Sequence, residues 1–273
     1  MITEYAYAKI NLALEVMDVK DGYHMVNNLM VPIDLYDELT FEESDKIELI
    51  NNEFEDNIIL KAAKLFIERY HINKGVKITL KKNIPSAAGL AGGSSDGAAA
   101  LRGLNKMFDN VATHDEMLEM AAILGSDVPF FIDSEIALCT NRGEVVNKLD
   151  VKPFVFDILL IKPETGLSTK EVYKNYVYEK VDKSEKIKNI INAIKYCDIF
   201  SLKKNIFNDL TKTALNLNTE LNSIYRDLEN RTEIYLSGSG PTMFLIKPDD
   251  EIVDYIKNKY KNFFVKKCKI KKM

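Results

Sequence analysis

Three glycines and three serines stand in the stretch Pro85-Ser86-Ala87-Ala88-Gly89-Leu90-Ala91-Gly92-Gly93-Ser94-Ser95, directly ahead of a run of helix formers over residues 96–105. Backbone N–H groups at a helix N-terminus point outward without partners and carry partial positive charge. A loop of Gly and Ala that lets a phosphate approach them makes an anion site, and Gly89, Gly92 and Gly93 supply that access. Ser94 and Ser95 add hydroxyl donors at the helix start, so the loop suits a triphosphate. No lysine follows the glycines, which excludes the G-x-x-x-x-G-K-[ST] phosphate loop, and G-x-G-x-x-G is absent as well. Taken alone, the same cluster reads more readily as a flexible turn in which Ser94 caps a helix.

Other chemistry-bearing residues sit in three short contexts. Lys9 interrupts an apolar run over residues 5–16, and Asn11 follows two positions later, on the same side of a strand. Tyr23 and His24 come after the turn formers Asp21 and Gly22, a placement suited to stacking on a base and bonding its polar edge. Asp127 lies in the loop Gly125-Ser126-Asp127-Val128-Pro129. By themselves, Lys9 reads as an edge-strand charge and Asp127 as a loop cap.

The elements that must hold these residues follow from periodicity. Residues 5–16 read as a strand, broken at Asp21-Gly22 and followed by the apolar segment 28–33. Ile59, Ala62, Ala63, Phe66 and Ile67 recur at helical spacing within 56–70, and residues 75–81 alternate as a half-buried strand leading into the glycine loop. Thr113 with Glu116 forms a capping-box pattern for a helix over 113–124, closed by Gly125. The charged, proline-bearing stretch 150–153 precedes the apolar strand 154–161, so the chain divides there into domains 1–150 and 151–273. The second half offers helices over 184–196, 217–228 and 251–260 and strands over 233–236 and 242–246 around the turn Ser237-Gly238-Ser239-Gly240-Pro241. The lysines of 266–272 suit a solvated edge strand, which charge protects from unwanted pairing. The pattern as a whole is α+β.

Bulk properties narrow the function classes. A chain of 273 residues with 46% hydrophobic and 29% charged residues is an ordinary globular composition, long enough for two domains. The net charge of -4 gives no global pull toward nucleic acid. Cys139, Cys197 and Cys268 are widely spaced and suggest neither disulfides nor a zinc site. With no signal-like N-terminus and no apolar run of about 18 residues, a cytoplasmic protein without a membrane anchor is expected.

The chain resembles the GHMP kinases, whose P-x-x-x-G-L-[GA]-G-[GS]-S-[SA] loop Pro85 through Ser95 fits at every defined position. Ala8-Lys9-Ile10-Asn11-Leu12, Asp21-Gly22-Tyr23-His24 and Gly125 through Phe131 narrow the resemblance to the branch that phosphorylates 4-diphosphocytidyl-2-C-methyl-D-erythritol in the non-mevalonate isoprenoid pathway. Further stretches at Asn57-Ile58, Arg142-Gly143-Glu144, 168–173 and 236–242 extend the likeness over nearly the whole chain.

The resemblance implies a two-domain fold, ribosomal S5 domain 2-like at the N-terminus and ferredoxin-like at the C-terminus, with the active site in the cleft between them. It implies ATP as phosphoryl donor, Mg2+ carried with the nucleotide and no separate metal site. Asp127 would take the proton from the substrate hydroxyl, and Lys9 would orient that hydroxyl and offset phosphoryl charge. Ser86, Ala87, Ala88, Gly89, Leu90, Ala91, Gly92, Gly93, Ser94, Ser95 and Asp96 would bind the nucleotide, with Asn57 and Ile58 lining the adenine pocket. An N-cap and a core residue explain Asn57 and Ile58 as well. Asn11, Tyr23 and His24 would bind the cytidylated polyol, and Ser237 and Gly238 would close on it from the other domain. A monomer or weak homodimer with a small-molecule substrate is expected. Two departures stand out: Gly97 occupies a usual alanine position, and Ala91 replaces a frequent glycine, which requires a negative φ at Ala91. The alternatives are a related kinase acting on homoserine or a mevalonate, or an inactive ligand sensor of the same fold.

Overall fold

A computed structural model describes residues 1–20, 22–51, 57–151 and 154–271. From the N-terminus the chain runs β1 (Ile2–Lys20), β2 (Tyr23–Ser44), β3 (Glu48–Ile50), α1 (Ile58–Arg69), β4 (Gly75–Lys81), α2 (Gly92–Met107), α3 (His114–Leu124), α4 (Phe130–Asp133), β5 (Ala137–Thr140) and β6 (Val145–Lys148). It continues with β7 (Asp157–Lys162), α5 (Thr169–Asn175), α6 (Ser184–Lys195), α7 (Ile199–Asn205), β8 (Phe207–Asn208), α8 (Thr211–Leu217) and α9 (Thr219–Glu229). The last elements are β9 (Tyr235–Leu236), β10 (Met243–Ile246), α10 (Asp250–Lys259) and β11 (Phe264–Lys269). Among the described residues the strands form two sheets. One has the order β3-β4-β2-β1-β8 with β5 and β6 added beside β2, and the other has the order β11-β7-β10-β9. The class is α+β.

The first sheet is covered by α1, α2 and α3. Ile59, Ala62, Ala63 and Phe66, the helical stripe visible in the sequence, are fully buried against Phe41, Ile78 and Leu101. Truncating a buried phenylalanine such as Phe66 to alanine costs about 3–5 kcal/mol. The expected capping box is present, with the Thr113 hydroxyl accepting from Glu116 N–H and the Glu116 carboxylate accepting from Thr113 N–H. Asn57 caps α1, its Oδ1 accepting the Ile59 N–H at 2.9 Å. Gly103, within α2, leaves room for Phe41, whose ring atoms would lie 2.3 Å from an added Cβ.

The second sheet shows why its strands are apolar without alternation. Ile158 and Leu160 of β7 and Phe244 and Ile246 of β10 face one core, while Leu159, Ile161, Met243 and Leu245 face another with α8, α9 and α10. Successive strand residues point to opposite faces, so a continuous apolar run means that both faces are covered. The first of these cores also contains Ile10, Leu12, Ile33, Ile84 and Leu90 and is therefore shared between the two sheets. Two backbone links reinforce it: β8 pairs in parallel with β1 at Ala13 and Leu14, and Ile33 bridges to Ile270.

Three expectations change. The helix read over 217–228 is α9 and starts two residues later, because Asn218 caps it through a hydrogen bond from Leu221 N–H, and α8, not read from the sequence, ends just ahead of it at Leu217. The helix after the glycine loop begins at Gly92 instead of Asp96. Of the lysine-rich C-terminus, β11 does lie at a sheet edge with Lys266, Lys267 and Lys269 outward, but Lys271 turns in and sets its ammonium 4.4 Å from the Tyr7 ring centre. Asp21, Asp56, Lys152, Pro153 and Lys272, which belong to segments read from the sequence, lie outside the described residues.

Candidate active site

Strand β4 ends at Lys81, and the chain passes through Pro85 to Ala91 before entering α2, whose first N–H groups lack intrahelical acceptors. Ala91 is the N-cap residue with φ 54 and ψ 34, so the expectation of a negative φ is overturned. A left-handed alanine costs on the order of 1–2 kcal/mol, and the surrounding loop holds it there. Part of that hold is backbone pairing: Lys9 N–H donates to Leu90 O and Thr242 N–H donates to Ala88 O, both at 3.2 Å. Gly89, at φ +72, lies so near the turn from the second half that an added Cβ would meet the Ser237 carbonyl oxygen at 2.3 Å. Gly93 is different, because an added Cβ there would meet nothing within 4 Å.

Lys9 is 3% exposed and donates to Asn11 Oδ1 at 2.8 Å and to Gly89 O at 2.9 Å. Burial lowers its ammonium below the ordinary lysine range, and the opposite charge of Asp127 pulls it back. Register shifts in the β1–β2 ladder fall between Tyr7 and Lys9 and between Asn11 and Ala13, so bulges bracket the two polar residues and turn them out of the apolar alternation. Asn11 in turn donates to Asn28 of β2, which the sequence reading passed over. Asp127 lies on the turn between α3 and α4, half-buried, next to Gly143.

These residues line one cleft of about 1250 Å³. Pro85 to Gly89 and Ala91 to Ser94 form one wall with Asp96, Asn57 and Ile58, while Lys9, Asn11, Asp127, Tyr23, His24 and Gly238 line the rest. Leu90, Ser95 and Ser237 do not reach it. Leu90 is packed in the shared core, Ser95 is fully buried, and Ser237 donates from beneath to Gly89 O at 3.0 Å, bracing the loop instead of facing a ligand. Ile58 lies against the first turns of α2, and Gly97 leaves it space, since an added Cβ would come within 3.0 Å of it.

The cleft also contains residues not singled out from the sequence: Lys82, Ser126, Arg142, Thr169, Lys170, Tyr173 and Ser239 among them. Tyr173 sets its ring 5.5 Å from that of His24, and burial near the charges of Asp127 and Asp209 keeps its phenol protonated. Arg142 places its guanidinium 5.2 Å from the Tyr23 ring centre. His24 Nδ1 is buried without a hydrogen-bond partner. The signal for Tyr173 and Arg142 lay in stretches that already carried the family likeness, whereas Lys82 had none.

The chain therefore combines a helix N-terminus open to phosphates, a buried ammonium beside it, a carboxylate within that ammonium's electrostatic reach and an aromatic corner at the far end. The model of the GHMP kinases N terminal domain matches residues 57–135. A 4-diphosphocytidyl-2-C-methyl-D-erythritol kinase of Bacillus pumilus is 40% identical over 272 residues, covering 96% of this chain and 93% of the relative. One of Clostridium beijerinckii is 39% identical over 274 residues, covering 95% and 97%. A crystal structure of 4-(cytidine 5'-diphospho)-2C-methyl-D-erythritol kinase superposes with a TM-score of 0.80 at 26% identity, over 98% of this chain and 99% of that one. A mevalonate kinase structure, at TM-score 0.71 and 17% identity over the full length of both chains, shares the fold. On its loop, its fold and its relatives, the chain belongs to the GHMP kinases, within the 4-diphosphocytidyl-2-C-methyl-D-erythritol kinase family.

Proposed function

We propose that the protein transfers the γ-phosphoryl group of ATP to the 2-hydroxyl of 4-diphosphocytidyl-2-C-methyl-D-erythritol, with Asp127 receiving the hydroxyl proton. The observation that carries this reading is the order of groups along one cleft. Lys9 bonds Gly89 of the phosphate loop, both Lys9 and Tyr173 feel the charge of Asp127, and Tyr173 neighbours His24. A phosphoryl donor at the loop and a base at the aromatic corner then leave the reacting hydroxyl between Lys9 and Asp127.

The loop fits a triphosphate because its free N–H groups and Gly93, open on its Cβ side, leave room for phosphate oxygens. Magnesium entering on the nucleotide would offset charge on its phosphates. Lys9, fixed by Asn11 and Gly89, points a charged donor at the reacting oxygens without having to reorganise, which is how preorganised groups lower a barrier. Asp127 accepts the proton as the oxygen attacks. Tyr23 and Tyr173 offer ring faces to a cytosine, and His24 lines the same end of the cleft beside its polar edge. The reading includes a location in the cytoplasm.

A substrate panel tests the reading. With MgATP, ADP release is expected with the cytidylated polyol and not with homoserine or mevalonate; the reverse pattern removes the substrate assignment. Asp127→Asn is expected to lower kcat by about 10²–10⁴-fold while KM values move little. An unchanged kcat would remove Asp127 as the base.

A further inference from the structure

Under the phosphate loop three charged side chains share one contact. Lys82 sets its ammonium 2.8 Å from Asp96 and bonds Asp37 on another side, and both carboxylates are buried, at 0% and 5% exposed. The ammonium lies against the loop, since a Cβ added to Gly92 would come 3.2 Å from Lys82 Nζ. With both acids ionised, this cluster carries one net negative charge beside a site shaped for a polyanion.

The two acids are not equivalent. Three donors converge on Asp37: the N–H groups of Asn83 and Ile84 on Oδ1 and Lys82 on Oδ2. An ionised carboxylate is an acceptor only, and that arrangement gives both of its oxygens a donor. Asp96 receives Lys82 on Oδ2, while its Oδ1 is buried, without a partner, in a residue that lines the cleft. An unpaired buried oxygen is costly, and a proton on it would turn it into a donor.

We propose that Asp96 is protonated when nucleotide is bound, leaving Lys82 and Asp37 as a neutral pair beneath the bound polyanion and taking up a proton from solvent. The charged groups facing it are Lys82, just past β4, and Asp37 of β2. Burial raises the Asp96 carboxyl to about 7, with Lys82 opposing the rise and Asp37 adding to it, so free protein near neutral pH holds both forms. A bound polyanion favours the neutral form further. The sign follows: below about 7 both free and bound protein hold the proton and affinity is full, and affinity falls as pH rises through that value.

The inference rests on the nucleotide reading, and calorimetry of ADP binding separates the two. Titrations between pH 7.5 and 8.5, above the titration of the ADP phosphate and in buffers of different ionisation heat, are expected to show net proton uptake by the wild type. Affinity is expected to fall by roughly fivefold over that unit, within the tenfold limit for one proton. Asp96→Asn, which keeps the shape and offers an N–H, is expected to show a change of less than about twofold and to lose that uptake. Binding of ADP by wild type without proton uptake overturns the proposal. So does a folded Asp96→Asn protein that loses more than about tenfold in affinity at pH 7.5, because the charged form would then be the ligand. If the variant does not fold, the wild-type proton count alone decides. Absence of any ADP binding removes the nucleotide reading itself.

Discussion

At the scale of single residues, Lys9 is where the proposed function opposes stability. An ammonium 3% exposed loses most of its hydration, and the Ser237 hydroxyl lies within reach of both its hydrogen-bond acceptors. Replacing it with an apolar side chain of similar length removes a desolvation cost, while the single Ser237 proton still serves Gly89 O at 3.0 Å. Lys9→Met is therefore expected to unfold at the same or a higher temperature while kcat falls by about 10²–10³-fold, the range for removing one preorganised charge donor. A variant that loses both stability and activity would show that Lys9 braces the loop more than it serves the reaction. Lys9 and Asn11 were legible because a strand repeats every two residues, so two polar positions in an apolar run stand out on one face. Lys82 and its partners were not. Asp37 and Lys82 are 45 positions apart and meet only because β2 and β4 pair, and no local pattern encodes such a meeting.

At the scale of elements, the glycines around α2 divide into those with close protein neighbours and one that faces open space. A would-be Cβ meets the Ser237 carbonyl oxygen at Gly89 and the Phe41 ring at Gly103, both at 2.3 Å, so neighbours demand the missing side chain there, whereas at Gly92 and Gly97 it first meets the side chains of Ile84 and Ile58, at 2.9 and 3.0 Å. At Gly93 it meets nothing within 4 Å, and its side faces open space at the helix start. Gly93→Ala should thus fold normally, with alanine even favoured by helix propensity, while its methyl group occupies space that a phosphate would take. The expected outcome is an unchanged melting temperature and a KM for ATP raised roughly tenfold, about 1.4 kcal/mol of lost binding. An unchanged KM would mean that the phosphates lie elsewhere along the loop. The sequence motif marked all these glycines alike, since composition does not say what a missing Cβ would touch. It also placed the helix start four residues late, because glycine is a poor helix former, although in the structure Ser95 N–H donates to Ala91 O and closes the first turn. The left-handed Ala91 was likewise beyond reach, as nothing in its neighbours' identities reveals a φ.

At the scale of the whole molecule, the question is whether two sheets make two independent folding units. The sequence break near residue 150 precedes β7, in the second sheet, because proline, charge and then a continuous apolar strand are local signals. It does not reveal the core between the sheets, which joins Ile10, Ile33 and Leu90 to Ile158, Leu160 and Phe244. Nor does it reveal that β8, from the second half, completes the edge of β1, or that the phosphate loop takes a backbone hydrogen bond from Thr242. Residues 1–150 alone would leave the apolar faces of β1 and the loop uncovered, so we expect that fragment to aggregate or to lack a cooperative transition. The full chain should unfold in one step, with calorimetric and van't Hoff enthalpies in agreement. Leu160→Ala in the shared core is expected to lower that single transition by about 2–5 kcal/mol without splitting it, because both sheets lose the same contact. Saturating MgATP should raise it by roughly 3 kcal/mol at 100-fold over Kd, the mass-action value for a ligand that binds only the folded state. Two resolved transitions, only one of them moved by nucleotide, would mean that the halves are joined more loosely than their common core requires, and that the cleft closes on substrate by docking two preformed bodies.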